Sequence, residues 1–234
     1  MTTTCSQAEQ HLPEVDLVQR LFDGRFSCRA FQDRPVDRPT ITRILELAQR
    51  SPSWCNTQPW QVSVTEGEGT ERLRAAISTF AATNSPQPDL PFPDQYPGVY
   101  DERRRECGWQ LYESVGIERG DRPASAAQAL ENFALFGAPH VAVVTTERDL
   151  GVYGAVDCGV YLGHFLIAAR SLGIATVPQA ALAAVAPVIR EQLGLDESRQ
   201  VLFGVSFGYP DLEHPANGFR TRRADIAEVL RWVS

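Results

Sequence analysis

The chain has 234 residues, 43% of them hydrophobic, so it can bury a substantial core. Its 22 basic residues are all Arg, and 29 acidic residues bring the formal net charge to −7. The absence of Lys excludes Schiff-base chemistry and a Walker-type phosphate loop, and the acidic balance disfavours a general nucleic-acid binder.

Helices dominate the elements that apolar periodicity predicts. In chain order we expect helices over residues 16–22, 40–48 (with Pro39 at its start), 70–80, 101–115 and 125–136, and then a buried strand over 140–146. The rest of the chain predicts a helix over 153–171, a strand over 174–177 that ends at Pro178, a helix over 185–193, a strand over 200–207 and a helix over 224–233. Few strands, many helices and no internal repeat indicate one α+β domain over residues 1–234.

One segment is unsuited to regular structure. Residues 83–97 are crowded with Pro, Asn, Ser and Asp, which favour turns and irregular backbone. Long irregular segments in compact domains are often functional lids. We therefore predict a lid or excursion over residues from about 84 to 120.

The predicted helix over 153–171 is the most apolar part of the chain. Asp157 and His164 interrupt its apolar run, which indicates a buried helix and not a membrane span. Gly159 and Gly163 permit close approach of another helix, and this fits packing within the chain and a subunit interface equally well. A polar N-terminus and five scattered cysteines without a C-x-x-C pair predict a cytoplasmic protein without a disulfide framework or a zinc site.

Residues 204–208 match the G-x-S-x-G pattern of serine hydrolases. That pattern needs a helix directly after the nucleophile, but here Tyr209 and Pro210 break the chain. The only downstream His, His214, is too close to Ser206 to fold back as a triad partner. We therefore interpret Ser206 as part of a strand, without a chemical role.

Two groups of Arg lie near opposite ends of the chain: Arg25 and Arg29 around Ser27, and three Arg within residues 220–223. Chance clustering on the surface explains either group alone. Together with the polar loop over residues 51–60, however, they supply guanidinium groups for a phosphate and amides and hydroxyls for a polyol and a heterocycle.

Other motifs are less informative. Three further Arg at residues 103–105, flanked by acidic residues, are most simply a solvated helix face with local ion pairs, and a contact to a substrate carboxylate is the alternative. No G-x-G-x-x-G follows a predicted strand, so a Rossmann unit has no support.

These motifs resemble, in order, those of the nitroreductase family. Residues 25–31 (RFSCRAF) resemble its R-x-S-x-[RK]-x-F, and residues 51–60 (SPSWCNTQPW) resemble its S-P-S-x-x-N-x-Q-P-W. Four further matches follow in the family's order over residues 136–139, 173–178, 207–210 and 217–223. The likeness covers nearly the whole chain from about Asp16 onward.

The resemblance implies an α+β sandwich, with a central mixed or antiparallel sheet surrounded by helices, in an intertwined homodimer. It also implies non-covalent FMN at each of two interface sites. On the matching residues it implies that Arg25 and Arg222 bind the phosphate with Arg220 beside them. It also implies that Ser27 contacts the phosphate or ribityl chain and that Arg29 faces the N1/O2 edge of the ring. The loop formed by Pro178, Gln179, Ala180 and Ala181 would present backbone N–H groups to N5 and O4. The partner chain would supply Pro52, Ser53, Asn56 and Gln58.

The resemblance further implies ping-pong transfer of hydride from NADH or NADPH to a small electron-poor acceptor such as a nitroaromatic or a quinone. Trp54, Tyr96 and Trp109 are predicted to contact an aromatic substrate, with core packing as the alternative for each. Where many relatives place a Lys or an amide near the flavin pyrimidine, this chain offers Glu131 and Asn132. The alternative functions are a reductase of activated alkenes or another non-nitro substrate and a non-catalytic flavin carrier.

Overall fold

A computed structural model describes residues 13–234 of the chain. Residues 1–12, with Cys5, His11 and the polar N-terminus, lie outside the described residues. The helices of the described part are α1 (Glu14–Gly24), α2 (Arg38–Ala48), α3 (Glu68–Thr83), α4 (Val99–Ser114), α5 (Arg122–Leu130), α6 (Gly151–Ser171) and α7 (Ala186–Leu193). Its strands are β1 (Gln61–Val64), β2 (His140–Glu147), β3 (Ala175–Gln179) and β4 (Arg199–Gly208).

The four strands form one antiparallel sheet in the order β1-β2-β4-β3, with helices on both faces. Side chains alternate across a strand, so neighbouring residues of β2 enter different cores. Ala142 and Val144 pack in the cluster formed with α2 and α6, whereas Val141 and Val143 pack with α3 and α7. The predicted α+β sandwich is therefore confirmed.

The predicted C-terminal helix over 224–233 is wrong. Only Ile226–Glu228 form a single 3-10 turn, which a capping box between Asp225 and Glu228 closes. A short helix is stabilised mainly by packing its apolar face, whereas Val229 and Trp232 are 68% and 86% exposed in the single chain. The apolar side chains of this segment therefore pack against no surface within residues 13–234.

The helix predicted over 125–136 also ends early, at Leu130. Leu135 and Phe136 then adopt left-handed backbone with φ of 56° and 51°. Both are buried, Leu135 in the cluster with α3 and α7 and Phe136 in a third cluster around Cys28. The left-handed backbone at these two residues is incompatible with a continuation of the helix.

The two edge strands of the sheet, β1 and β3, differ from the prediction. β1 is a four-residue edge strand that pairs with β2 alone, and it is too short to give a clear alternating pattern. β3 continues through Pro178, although the sequence predicts that the strand ends there. Because β3 is an edge strand, a proline lacking an N–H is tolerated within it.

Residues 84–97 contain no helix or strand, as predicted, but the start of this segment is fixed to the core. The Asp89 carboxylate accepts from Arg190 at 2.6 and 2.7 Å and from the Val201 N–H at 2.8 Å. The Gln87 N–H donates to the Ala184 carbonyl at 2.8 Å. Beyond this anchor, residues 91–99 are exposed up to the first residue of α4.

Candidate functional site

Four Arg from both ends of the chain line one cavity of about 450 Å³. Arg25 and Arg29 belong to the extended segment that follows α1, and Arg220 and Arg223 belong to the C-terminal segment. The remaining lining residues come from the end of α1, from these two segments and from α4: Phe22, Asp23, Phe26, Ser27, Cys107, Phe219 and Thr221. Three of the Arg predicted to bind FMN, namely Arg25, Arg29 and Arg220, thus lie together with Ser27.

Asn217 joins the two segments that carry these Arg. Its Oδ1 accepts from the Arg29 N–H at 2.7 Å, and its Nδ2 donates to the carbonyls of Ala30 and Asp211 at 2.9 and 2.6 Å. Only 3% of Asn217 is exposed. Because buried amides require hydrogen-bond partners, this residue fixes the C-terminal segment against the strand-like segment that contains Arg29.

Aromatic rings also orient the Arg side chains. The guanidinium of Arg220 lies 3.9 Å from the ring centroid of Phe26, and that of Arg29 lies 5.6 Å from the centroid of Phe219. Each contact is a cation–π interaction between the two segments. Arg220 Nη1 also donates to the carbonyls of Asn217 and Phe219 at 2.8 and 2.7 Å, which fixes the orientation of this guanidinium in the cavity.

The cavity has a deficit of negative charge. Burial, and then the neighbouring guanidinium of Arg223, lower the pKa of Arg25, and burial lowers the pKa of Arg29. Within residues 13–234, none of the four Arg forms an ion pair with a carboxylate, although Asp23 contributes to the lining. Partly buried like charges of this kind are stabilised by a bound anion, and the donor set fits a phosphomonoester.

Arg222 does not line this cavity. It faces an adjacent cavity of about 760 Å³, where its Nη2 and Nε lie 2.6 and 2.8 Å from Glu106 Oε1. Arg223 lines the first cavity instead, although the sequence predicts this role for Arg222. In irregular backbone the direction of a side chain does not follow a regular period. The sequence alone therefore cannot tell which of Arg222 and Arg223 faces the cavity.

The predicted polar loop lies elsewhere, against α6. Ser53 Oγ accepts from the Gln58 N–H at 2.9 Å, and Gln58 Nε2 donates to Asn56 at 3.3 Å. Trp54 is 61% exposed and packs edge-on against Tyr153 at 4.7 Å between ring centroids. Within the described chain, none of these residues, nor Pro52, lines the cavity of the four Arg.

Among residues 178–181, at the end of β3, one side chain is buried, that of Gln179. Gln179 Nε2 donates to the Asn132 carbonyl at 2.7 Å, and its Oε1 accepts from Ser206 Oγ at 2.5 Å. The side chain of Gln179 is therefore satisfied inside the protein, and Ala180 beside it is exposed. Ser206 is fully buried within β4, as interpreted from the sequence, and this position is incompatible with a hydrolase nucleophile.

The other predicted substrate contacts lie on the lid. Tyr96 is 44% exposed, with the guanidinium of Arg104 5.2 Å from its ring. Trp109 packs against Tyr112 and the guanidinium of Arg119. Neither Tyr96 nor Trp109 lines the cavity of the four Arg in the described chain.

The ion pairs predicted for residues 103–105 are present. Arg104 and Arg105 pair with Asp101 at 3.0 and 2.7 Å. Arg103 instead reaches Glu228 of the C-terminal segment at 2.9 Å, which the local pattern could not predict.

The outer face of α6 carries an apolar ridge, formed by Val152, Tyr153, Val156 and Val160, which are 38–69% exposed. Gly159 and Gly163 lie with them and approach no other part of the described chain. Tight packing against residues 13–234 is therefore not the reason for the two glycines. Among the described residues, Arg148–Ser171 is the one helical segment with the length and hydropathy of a membrane span, and its other face is buried against the sheet.

Comparisons with known proteins identify relatives along almost the whole chain. The model of the nitroreductase family matches residues 23–209. Nitroreductase NfnB of Mycolicibacterium smegmatis is 38% identical over 224 residues, which cover 94% of this chain and 95% of the relative. The 4-nitrobenzoate reductase of Pseudomonas putida is 33% identical over 200 residues, covering 86% of this chain and 88% of the relative.

A solved structure extends this similarity to the fold. The crystal structure of the FMN-dependent nitroreductase NfnB from Mycobacterium smegmatis in complex with NADPH has a TM-score of 0.91 and 35% identity to this chain. The match covers 95% of this chain and 100% of that one. Arg25, Arg29 and the loop over residues 51–60 lie within the residues that the family model matches, whereas Arg220 and Arg223 lie beyond them.

Proposed function

Because the chain belongs to the nitroreductase family, we propose that it is an FMN-dependent oxidoreductase that transfers hydride from NADH or NADPH to a small electron-poor acceptor by a ping-pong mechanism. The observation that carries the proposal is the cavity of four Arg that form no ion pair within residues 13–234, which suits the phosphate of FMN. When bound, FMN supplies the hydride chemistry, and the protein supplies binding, orientation and electrostatics.

Within this cavity the side chains have separate tasks. Arg25, Arg220 and Arg223 bind the phosphate, and Ser27 contacts the phosphate or the ribityl chain. Arg29 is the most deeply desolvated of these Arg, and it places a fixed positive charge beside the ring, where negative charge develops during reduction. Arg222 contributes indirectly, because its ion pair with Glu106 fixes the C-terminal segment to α4.

The active molecule is a homodimer, with each site completed by the partner chain. In a single chain the loop over residues 53–58 lies apart from the cavity of the four Arg, next to the apolar ridge of α6. An exposed ridge of this kind is typical of an obligate interface. Pairing two chains through α6 brings Pro52, Ser53, Asn56 and Gln58 of each to the cofactor of the other, beside the backbone of residues 178–181.

The acceptor is a flat, electron-poor aromatic compound such as a nitroaromatic or a quinone. The relatives named above include a nitroreductase and a 4-nitrobenzoate reductase, and Trp54, within the loop over residues 53–58, presents an exposed ring. Tyr96 and Trp109 contact the substrate when the lid, residues 84–120 of a single domain, closes over the site. The protein is a soluble, cytoplasmic enzyme, and multiple turnovers of NADPH with a nitroaromatic distinguish it from a flavin carrier.

The test is the affinity for FMN. We expect Arg25→Ala to weaken binding about ten- to hundredfold, since a charge-assisted hydrogen bond contributes roughly 1.5–3 kcal/mol. Quenching of flavin fluorescence measures the dissociation constant. Arg222→Ala should have a smaller effect, because its charge is already paired.

Arg72→Ala, which removes an exposed Arg paired within α3, is the matched control and should bind FMN normally. A wild-type protein that does not bind FMN refutes the proposal. Unchanged affinity in Arg25→Ala would show that the phosphate lies elsewhere.

A further inference from the structure

The loop over residues 53–58 has an unusual backbone. Cys55, Asn56 and Gln58 have φ of 51°, 57° and 48°, a left-handed region that residues other than Gly and Asn rarely adopt. A loop of this conformation persists only where its surroundings hold it. The contacts that hold it therefore determine where its amides and hydroxyls are presented.

Three side chains on one face of α6 hold this part of the chain. Asp157, Tyr161 and His164 are separated by four and three residues, which places them on the same side of a helix. The Tyr161 ring stacks on Trp60 at 5.0 Å between centroids, and His164 Nδ1 lies 2.6 Å from Ser51 Oγ. These two contacts fix the ends of the segment over residues 51–60.

The contact at Trp60 continues to the loop itself. Trp60 Nε1 donates to Gln49 Oε1 at 2.9 Å, and Gln49 Nε2 donates to Gln58 Oε1 at 2.9 Å. The side chain of Gln58 is thereby held by α2 and, through Trp60, by α6.

Asp157 acts at the other end of the loop. Its two carboxylate oxygens accept from the Trp54 N–H at 3.2 and 3.1 Å, at the start of the 3-10 turn Trp54–Asn56. Ser53 precedes this turn but does not cap it, because its hydroxyl accepts from the Gln58 N–H. The carboxylate of Asp157, on α6, therefore takes the place of the local cap that this turn lacks.

This carboxylate is costly to bury. Asp157 is 8% exposed, and among residues 13–234 it has no ion-pair partner. A buried charge without a counterion is unfavourable unless its hydrogen bonds compensate, and the contact that the described chain provides is the Trp54 N–H. An apolar residue at position 157 would be buried at a lower cost in free energy than a carboxylate. The stability of the fold therefore does not explain why this residue is Asp.

We propose that Asp157 is a positioning residue for the cofactor: its buried carboxylate holds the start of the loop over residues 53–58 in the geometry that binds FMN. The inference rests on the proposed function. Asp157 does not touch the cofactor, and it acts through the Trp54 N–H.

The experiment compares Asp157→Ala and Asp157→Asn with the wild-type protein. We expect Asp157→Ala to weaken FMN binding about tenfold or more, since a hydrogen bond to a charged group is lost. Asp157→Asn keeps the volume and one acceptor, so it should recover part of the affinity. Flavin fluorescence gives the dissociation constants, and the near-ultraviolet circular dichroism of the Trp54–Tyr153 pair reports the loop in the absence of cofactor.

Two controls separate positioning from stability. Asp149→Asn changes an exposed carboxylate just before α6, and Ile189→Val removes a buried methylene group in the core next to α7. Both should bind FMN like the wild-type protein, although Ile189→Val unfolds at a lower urea concentration.

Wild-type affinity in Asp157→Asn, or in a folded Asp157→Ala, overturns the inference. If Arg25→Ala still weakens FMN binding in the same assay, the proposed function stands although the inference about Asp157 fails. A wild-type protein that binds no FMN instead removes the proposed function itself.

Discussion

At the scale of single residues, the hydrogen bond from Ser206 to Gln179 shows that this serine, although it matches the hydrolase pattern G-x-S-x-G, is a buried residue of a strand. We expect Ser206→Ala to leave turnover of NADPH unchanged, because the hydroxyl is buried and contacts Gln179. The free energy of unfolding should fall by about 1–3 kcal/mol, since the buried amide oxygen loses its donor. Urea unfolding and steady-state turnover measure the two effects.

Ser198→Ala is the matched control, because its hydroxyl donates to the less buried Glu147 near the surface. A Ser206→Ala protein with full FMN content and no turnover would contradict the strand interpretation.

The residues of the candidate site differ in how well the sequence predicts them. Arg25, Ser27, Arg29 and Arg220 stand in motifs that resemble the family, and the fold gathers them in one cavity. That they bind FMN stays a prediction. Arg223 could not be chosen over its neighbour, because the direction of a side chain in irregular backbone depends on contacts such as that between Arg222 and Glu106.

At the scale of elements, the lid segment depends on one anchor. Asp89 and Arg190 are each 11% exposed and form a charge-assisted pair at 2.6 Å. We expect Asp89→Ala to destabilise the fold by about 3–5 kcal/mol, because it leaves the Arg190 charge buried without its partner. Urea unfolding measures the loss, and limited proteolysis should show faster cleavage within residues 84–98.

Asp94→Ala is the control from the same segment, since Asp94 is exposed. Equal stability of the two variants would show that the segment is held by other contacts.

Elements that are long or central were predicted, and those that depend on tertiary partners were not. The pattern over β2 reflects a strand buried on both faces, and the pattern over α6 reflects a helix with a large apolar surface. β1 is defined by its pairing with β2 more than by its own four residues. The segment after Arg223 is apolar enough for a helix, but the single chain offers no surface to pack it.

At the scale of the whole molecule, the ridge of α6 determines the expected assembly. We expect Val156→Arg to yield a monomer with little bound FMN, because a charge at a position now 55% exposed would be buried between two chains. Size-exclusion chromatography with light scattering gives the mass, and absorbance gives the flavin content.

Gln192→Arg adds the same charge at an exposed position on α7 and should leave both mass and flavin content unchanged. A Val156→Arg dimer with full FMN content would mean that the chains associate through another face.

Helix α6 presents Asp157, Tyr161 and His164 to the segment over residues 51–60, and it presents the apolar ridge on the adjoining face. In the proposed dimer, the cofactor-binding loop and the partner chain therefore pack against neighbouring faces of one helix, and thermodynamic linkage makes the effects of cofactor and partner reciprocal. FMN tightens the dimer by the same factor by which dimerisation tightens FMN. Dilution should thus release the flavin, and the apparent affinity for FMN should rise with protein concentration.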